Sequence, residues 1–196
     1  MAILLENSMF IHIPKCGGRW ATQMIISNCQ NYSFSGDRVY DAHDTPDSGG
    51  KKVFAFVREP ASFCHSLWHH RARKKSNTRG NKFNWQEYIN LENVCQSSNY
   101  LEFMENCSKL KNGVVEYYNY YLKKYEGNLV IGKVENIAFD LVNILTKLNE
   151  NFSKDKILAN TNNIIGKGSD GKIDPELRYK INVANLKFST KFNYIN

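Results

Sequence analysis

No apolar run in this chain approaches the roughly 20 residues that a membrane-crossing helix needs, so no bilayer span is expected. The five cysteines, Cys16, Cys29, Cys64, Cys95 and Cys107, are odd in number and scattered, with no C-x-x-C among them. That argues against a disulfide framework and a structural zinc site, and fits a reduced setting. A Walker loop, G-x-x-x-x-G-K-[ST], is missing too, which argues against the commonest phosphate cradle of nucleoside triphosphatases. There is no internal repeat and no low-complexity tract. The opening "MAILLENSMF" has no basic leader and is interrupted by Glu6 and Asn7. It does not read as a secretory signal, and a cytoplasmic location is expected.

What is present is the material of one globular domain spanning 1–196. The chain has 196 residues, 42% of them hydrophobic and 23% charged, enough to bury a single core. The net charge of +7 favours anionic partners without choosing among them. Strand-forming stretches at 9–13, 53–57 and 128–137 are interleaved with helical patterns at 19–29, 61–75, 85–92, 98–108, 114–125, 137–149 and 175–192. Strands without alternation that alternate with helices imply a mostly parallel sheet in a three-layer α/β/α domain. The polar stretches 36–51, 76–84 and 160–175 read as loops. Pro175 near the start of the last helix and Asp174 before it mark a capped beginning.

Ligands of such sheets sit at the carboxyl ends of the strands. Two stretches with phosphate-binding chemistry fall there. In "FIHIPKCGGRW" (10–20), Gly17 and Gly18 let the backbone curl closely around an anion. The amides and dipole of the following helix would face it, and Lys15 adds a full charge. The same stretch also reads as a plain strand-to-helix turn with an exposed lysine. In "VREPASFCHS" (57–66), Arg58 leaves a strand end and Ser66 lies on the next helix. A guanidinium fork and a hydroxyl suit a second phosphate. The other readings are an ion pair of Arg58 with Glu59 or Glu135, and simple packing of Ser66.

Together these stretches resemble the sulfotransferases that use 3′-phosphoadenosine-5′-phosphosulfate (PAPS) as sulfuryl donor, in particular the carbohydrate and bacterial types. "IPKCGGRW" is similar to that family's 5′-phosphosulfate loop. "VREPASFCHS" is similar to its 3′-phosphate motif, and positions 58 and 66 keep the interval between Arg and Ser. "VIGKVENI" and the last helix resemble later family segments. The resemblance implies a fold like that of the P-loop nucleotidases, PAPS as donor co-substrate, and no metal. It implies that Lys15 contacts the bridging and sulfuryl oxygens, and that Cys16, Gly17, Gly18 and Arg19 wrap the 5′-phosphate. Trp20 would stack on adenine, and Arg58 and Ser66 would hold the 3′-phosphate. Lys167 and Gly168, in "IIGKGSDGK", resemble a late loop that reaches the same phosphate, with Gly166 in place of its Arg. Arg19 stands where the family usually has a Thr or Ser.

A base for the acceptor hydroxyl is the remaining need, and histidine suits it near neutral pH. His43, in "YDAHDTP", lies where carbohydrate-type members carry a similar histidine element; a loop histidine capped by Asp41 or Asp44 is the other reading. His12 reads as structural or as a partner of Lys15. His65, His69 and His70 read as a solvated helix face. The run "HHRARKKSNTR" is either a basic helix end or a rim attracting an anionic acceptor such as an acidic glycan. No nucleic-acid motif accompanies it. The expected activity is transfer of a sulfuryl group to a hydroxyl or amine acceptor. The alternatives are a non-catalytic binder of the desulfated nucleotide (PAP) and a nucleotide-dependent phosphoryl-transfer enzyme.

Overall fold

A computed structural model describes residues 2–35, 45–74, 86, 89–160 and 172–195. The chain divides into two compact units: Met1–Arg58 with Tyr121–Gly166, and Glu59–Tyr120 with Lys167–Asn196.

The first unit is an α/β unit around a five-stranded sheet of order β3-β1-β2-β4-β5. Strands β1 (Ala2–Leu5) and β2 (Ser8–Ile11) are joined by only Glu6 and Asn7. A two-residue connection can join antiparallel strands only, and β1 runs antiparallel to both β2 and β3 (Tyr32–Ser35). Strands β4 (Lys52–Val57) and β5 (Leu129–Lys133) extend the sheet from β2 in parallel. The sheet is therefore mixed, not mostly parallel as the pattern of three longer strands implies. The hairpin is tied down by side chains from distant segments. Lys51 Nζ donates to the carbonyls of Leu5 and Glu6, and the buried Glu150 carboxylate accepts from Ser8 Oγ at 2.6 Å and Asn7 N–H at 3.0 Å.

Central strands β2 and β4 are buried on both faces, as their unbroken apolar sequence requires, with Phe10 packed on Phe54 and Phe56. Helix α1 (Gly18–Asn28) buries Trp20, Ala21, Met24 and Ile25, an i, i+4 pairing that gives it one apolar face. Helix α6 (Ile137–Lys147) buries Ile137, Leu141, Val142, Ile144 and Leu145 likewise. The short α7 (Lys154–Ala159) lies against α1 and α6.

The second unit is helical: α2 (Pro60–Lys74), α3 (Asn90–Cys95), α4 (Tyr100–Lys109), α5 (Gly113–Leu122, whose last turn enters the first unit), α8 (Pro175–Ala184) and α9 (Leu186–Lys191). Its core holds Phe63, Leu67, Phe103, Met104, Tyr117 and Ile181. Asn99 caps α4 and Asp174 caps α8, each accepting an amide three residues on. Of the helical pattern expected at 85–92, the described residues show α3 beginning at Asn90 and running on to Cys95. The expected single helix over 175–192 is two helices that part at Asn185, and two buried asparagines in this region serve other helices. Asn182 Oδ1 accepts Ala61 N–H at the start of α2, and Asn185 Oδ1 accepts Val114 N–H at the start of α5. All five cysteines are buried and none is bridged. Among the described residues no helix is long and apolar enough to cross a membrane.

Candidate functional site

Strands β2, β4 and β5 are mutually parallel, so their carboxyl ends share one edge of the first unit. Three segments meet there: the loop 12–17 after β2, Arg58 after β4, and the one-turn helix Val134–Asn136 between β5 and α6.

The loop 12–17 is unusual in its backbone. Cys16 N–H closes a turn on Ile13 O at 3.3 Å. Lys15 has φ +65° and Gly17 has φ +70°, both left-handed. Glycine adopts that region freely, but a lysine there carries a Cβ clash of about 1–2 kcal/mol. Gly17 is also the N-cap of α1 and brings no capping side chain to it. The two glycines have different structural causes. A Cβ at position 17 would lie 2.5 Å from Ile137 Cδ1 in a backbone conformation unfavourable to any side chain, while a Cβ at position 18 would fall inside the His12 ring. Ile137, Val134 and His12 thus form the walls of the loop.

Lys15 is half-buried, Arg19 is exposed on the first turn of α1, and Cys16 is buried at 1% exposure. Trp20 is buried, and its Nε1–H donates to Asn160 O at 3.1 Å, pinning α1 to the end of α7. Arg58 is half-buried at the end of β4. Its suggested partner Glu59 is engaged in the second unit, where it accepts from Asn182 Nδ2 at 2.8 Å and lies 3.6 Å from Arg178 Nε. On the neighbouring strand Lys133 N–H donates to Asp140 Oδ2 at 2.6 Å, which fixes the turn from β5 into α6.

Ser66 belongs to the second unit and is buried in the middle of α2. The start of α2 differs from that of α1. Pro60 has no N–H, and Ala61 N–H is taken by Asn182. His65, expected on a solvated face, is instead 3% exposed, with Nδ1 2.8 Å from Tyr100 Oη. Burial, helped by Cys64, holds the Tyr100 phenol above its usual range. Burial also pushes the Cys107 thiol well up, among hydrogen bonds to Cys64 and Cys95. His43, Lys167 and Gly168 lie outside the described residues.

The structure therefore brings Lys15, Cys16, Gly17, Gly18, Arg19 and Arg58 to one edge of the first unit. Val134, Ile137 and the seat of His12 had no local signal, since each acts through a contact distant in the chain.

No protein-family model, curated protein or solved structure matches this chain. The functional reading rests on the chemistry of the loop and the strand ends.

Proposed function

We propose that this protein is a PAPS-dependent sulfotransferase acting on a hydroxyl or amine acceptor, and that its sheet and helices follow the three-layer, P-loop-like plan. The observation that carries the reading is Lys15 at φ +65° beside Gly17 at φ +70°. Left-handed residues on either side of Cys16 curl the loop into a turn of the kind that can face an anion, and strain at a non-glycine residue is a feature of functional sites. The start of α1, whose N-cap is a glycine, adds its amides and dipole, and Arg58 on the neighbouring parallel strand adds a guanidinium fork.

In this reading PAPS supplies the activated sulfuryl group. Lys15 and the amides at the start of α1 bind the 5′-phosphosulfate, while Cys16, whose N–H is held by Ile13 O, shapes the turn. Arg58 takes the 3′-phosphate. Trp20 borders the adenine. His43 accepts the acceptor's proton as the acceptor oxygen or nitrogen bonds to sulfur and the bond from sulfur to the 5′-phosphate oxygen breaks. Charge growing on that phosphate is met by Lys15 and the preorganised amides.

Calorimetry tests the reading directly. PAP should bind and raise the melting temperature, since a ligand of the native state stabilises it by mass action, by about 2.7 kcal/mol at one hundred times Kd. Millimolar PAP giving neither heat nor a thermal shift, while ATP with Mg²⁺ gives both, would overturn it in favour of phosphoryl transfer.

A further inference from the structure

Strand β5 is the last of the sheet beyond β4, so one of its sides is paired and the other is an edge. The register decides which main-chain groups lie on that edge. Val53 pairs with Leu129, and Val53 N–H donates to Asn128 O at 2.9 Å, so the groups of Val130 and Gly132 turn toward β4. Those of Leu129, Ile131 and Lys133 turn outward. Asp140 Oδ2 takes the outward Lys133 N–H, which places the Asp140 carboxylate on the edge. The outward groups of Leu129 and Ile131 have no partner among the described residues. The register is unbroken and the strand holds no proline, so neither a bulge nor a missing N–H blunts this edge.

Helix α6 lies over the same strand, and a cleft of about 220 Å³ opens between them, with Val130, Ile131, Asp140, Asn143 and Lys147 in its lining. Asp140, Asn143 and Lys147 are spaced i, i+3, i+7 and so form one ridge along α6. Asn143 and Lys147 are exposed, and Lys147 has no carboxylate partner among the described residues. The ridge is about 10 Å long, the span of about three strand residues, and so runs from an acid at the Lys133 end of β5 to a base at its Val130 end, with the Asn143 amide midway. Turned about a two-fold axis through the sheet at Ile131, this edge matches itself. Asp140 then stands opposite Lys147 at two symmetric places, and Asn143 opposite its own amide, which both donates and accepts. We propose that the β5 edge is a homodimer interface: two copies of the chain join their sheets antiparallel along Leu129 and Ile131, and Asp140–Lys147 pairs clasp the two α6 ridges. Nothing in it depends on the nucleotide site.

Sedimentation equilibrium of the wild-type chain at tens of micromolar should give twice the mass of one chain, and added salt should weaken the dimer. Lys147→Glu sets like charges opposite each other at both symmetric places and should raise the dissociation constant roughly tenfold. Ile131→Pro removes an outward N–H and spares the ladder between β4 and β5, so the folded variant should be monomeric. Amide exchange of the unmodified protein supplies a reading that needs no variant: Ile131 N–H should exchange more slowly as protein concentration rises. Should Ile131→Pro fail to fold, Lys147→Glu and the exchange of Ile131 decide. A chain that stays monomeric at millimolar concentration overturns the inference and leaves the edge to some other chain. A dimer unweakened by Lys147→Glu or by folded Ile131→Pro, or an Ile131 amide whose exchange ignores concentration, overturns it as well. Each of these results leaves the sulfotransferase reading standing.

Discussion

Lys15 is where a single residue says most about function. Its left-handed backbone costs about 1–2 kcal/mol, and glycine would relieve that while adding roughly 0.4–1 kcal/mol of unfolded-chain entropy. Lys15→Gly should therefore leave stability unchanged or raise it by up to about 1.6 kcal/mol in denaturant melts. PAP affinity should fall at least tenfold, as loss of a charge-assisted contact implies. A variant that loses stability and keeps affinity would make Lys15 a structural residue. The sequence shows the lysine and the glycine pair but not this conformation, because φ at position 15 is set by how the loop is closed on Ile13 and walled by Ile137. The glycines themselves were legible as a close approach; that one of them approaches His12 was not. His65 shows the opposite failure: three histidines at a helix end read as solvated, yet Tyr100 on another helix draws one of them inside.

At the scale of elements, the longer apolar strands and most helices were readable from their periodicity, and the misses share a cause. Strands β1 and β3 have four residues each, too few for a periodic signal, and β3 is polar. Glu6 and Asn7 read as an interruption of an apolar stretch when they are the turn of a hairpin. Helices α8 and α9 read as one because Asn182 and Asn185 show no local sign of their distant partners. The helical unit carries its own stake in a buried ion pair, Arg71–Glu92 between α2 and α3, whose side chains are 5% and 0% exposed. Glu92 Oε2 also accepts Gln86 N–H at 3.0 Å. Removing one partner strands a charge, so Glu92→Ala should cost about 3–5 kcal/mol by urea unfolding. The double change Arg71→Met with Glu92→Leu should cost much less. Equal losses would mean that the pair matters through packing and not through charge.

For the molecule as a whole, stability has an alkaline limit that the structure locates. Burial, with a smaller push from Glu150, raises the Cys29 thiol from 9.0 to about 12. The unfolded chain ionises this thiol first, so the contribution of the protonated form is intact below about pH 9 and is lost as pH climbs toward 12. Unfolding free energies from pH 8 to 11 should fall more steeply for wild type than for Cys29→Ala; parallel curves would place the thiol in contact with water. The surplus of +7 belongs to this scale as well, and favours anionic partners in a salt-dependent way. It gives attraction but no identity, which in the proposed function comes from Lys15 and Arg58. The most direct test of that pairing compares PAP with adenosine 5′-phosphosulfate, which lacks the 3′-phosphate, on wild type and Arg58→Ala. The account predicts a loss on the order of 1.5–3 kcal/mol for PAP and little change for the phosphosulfate. Equal losses for the two ligands, or none for either, would contradict it.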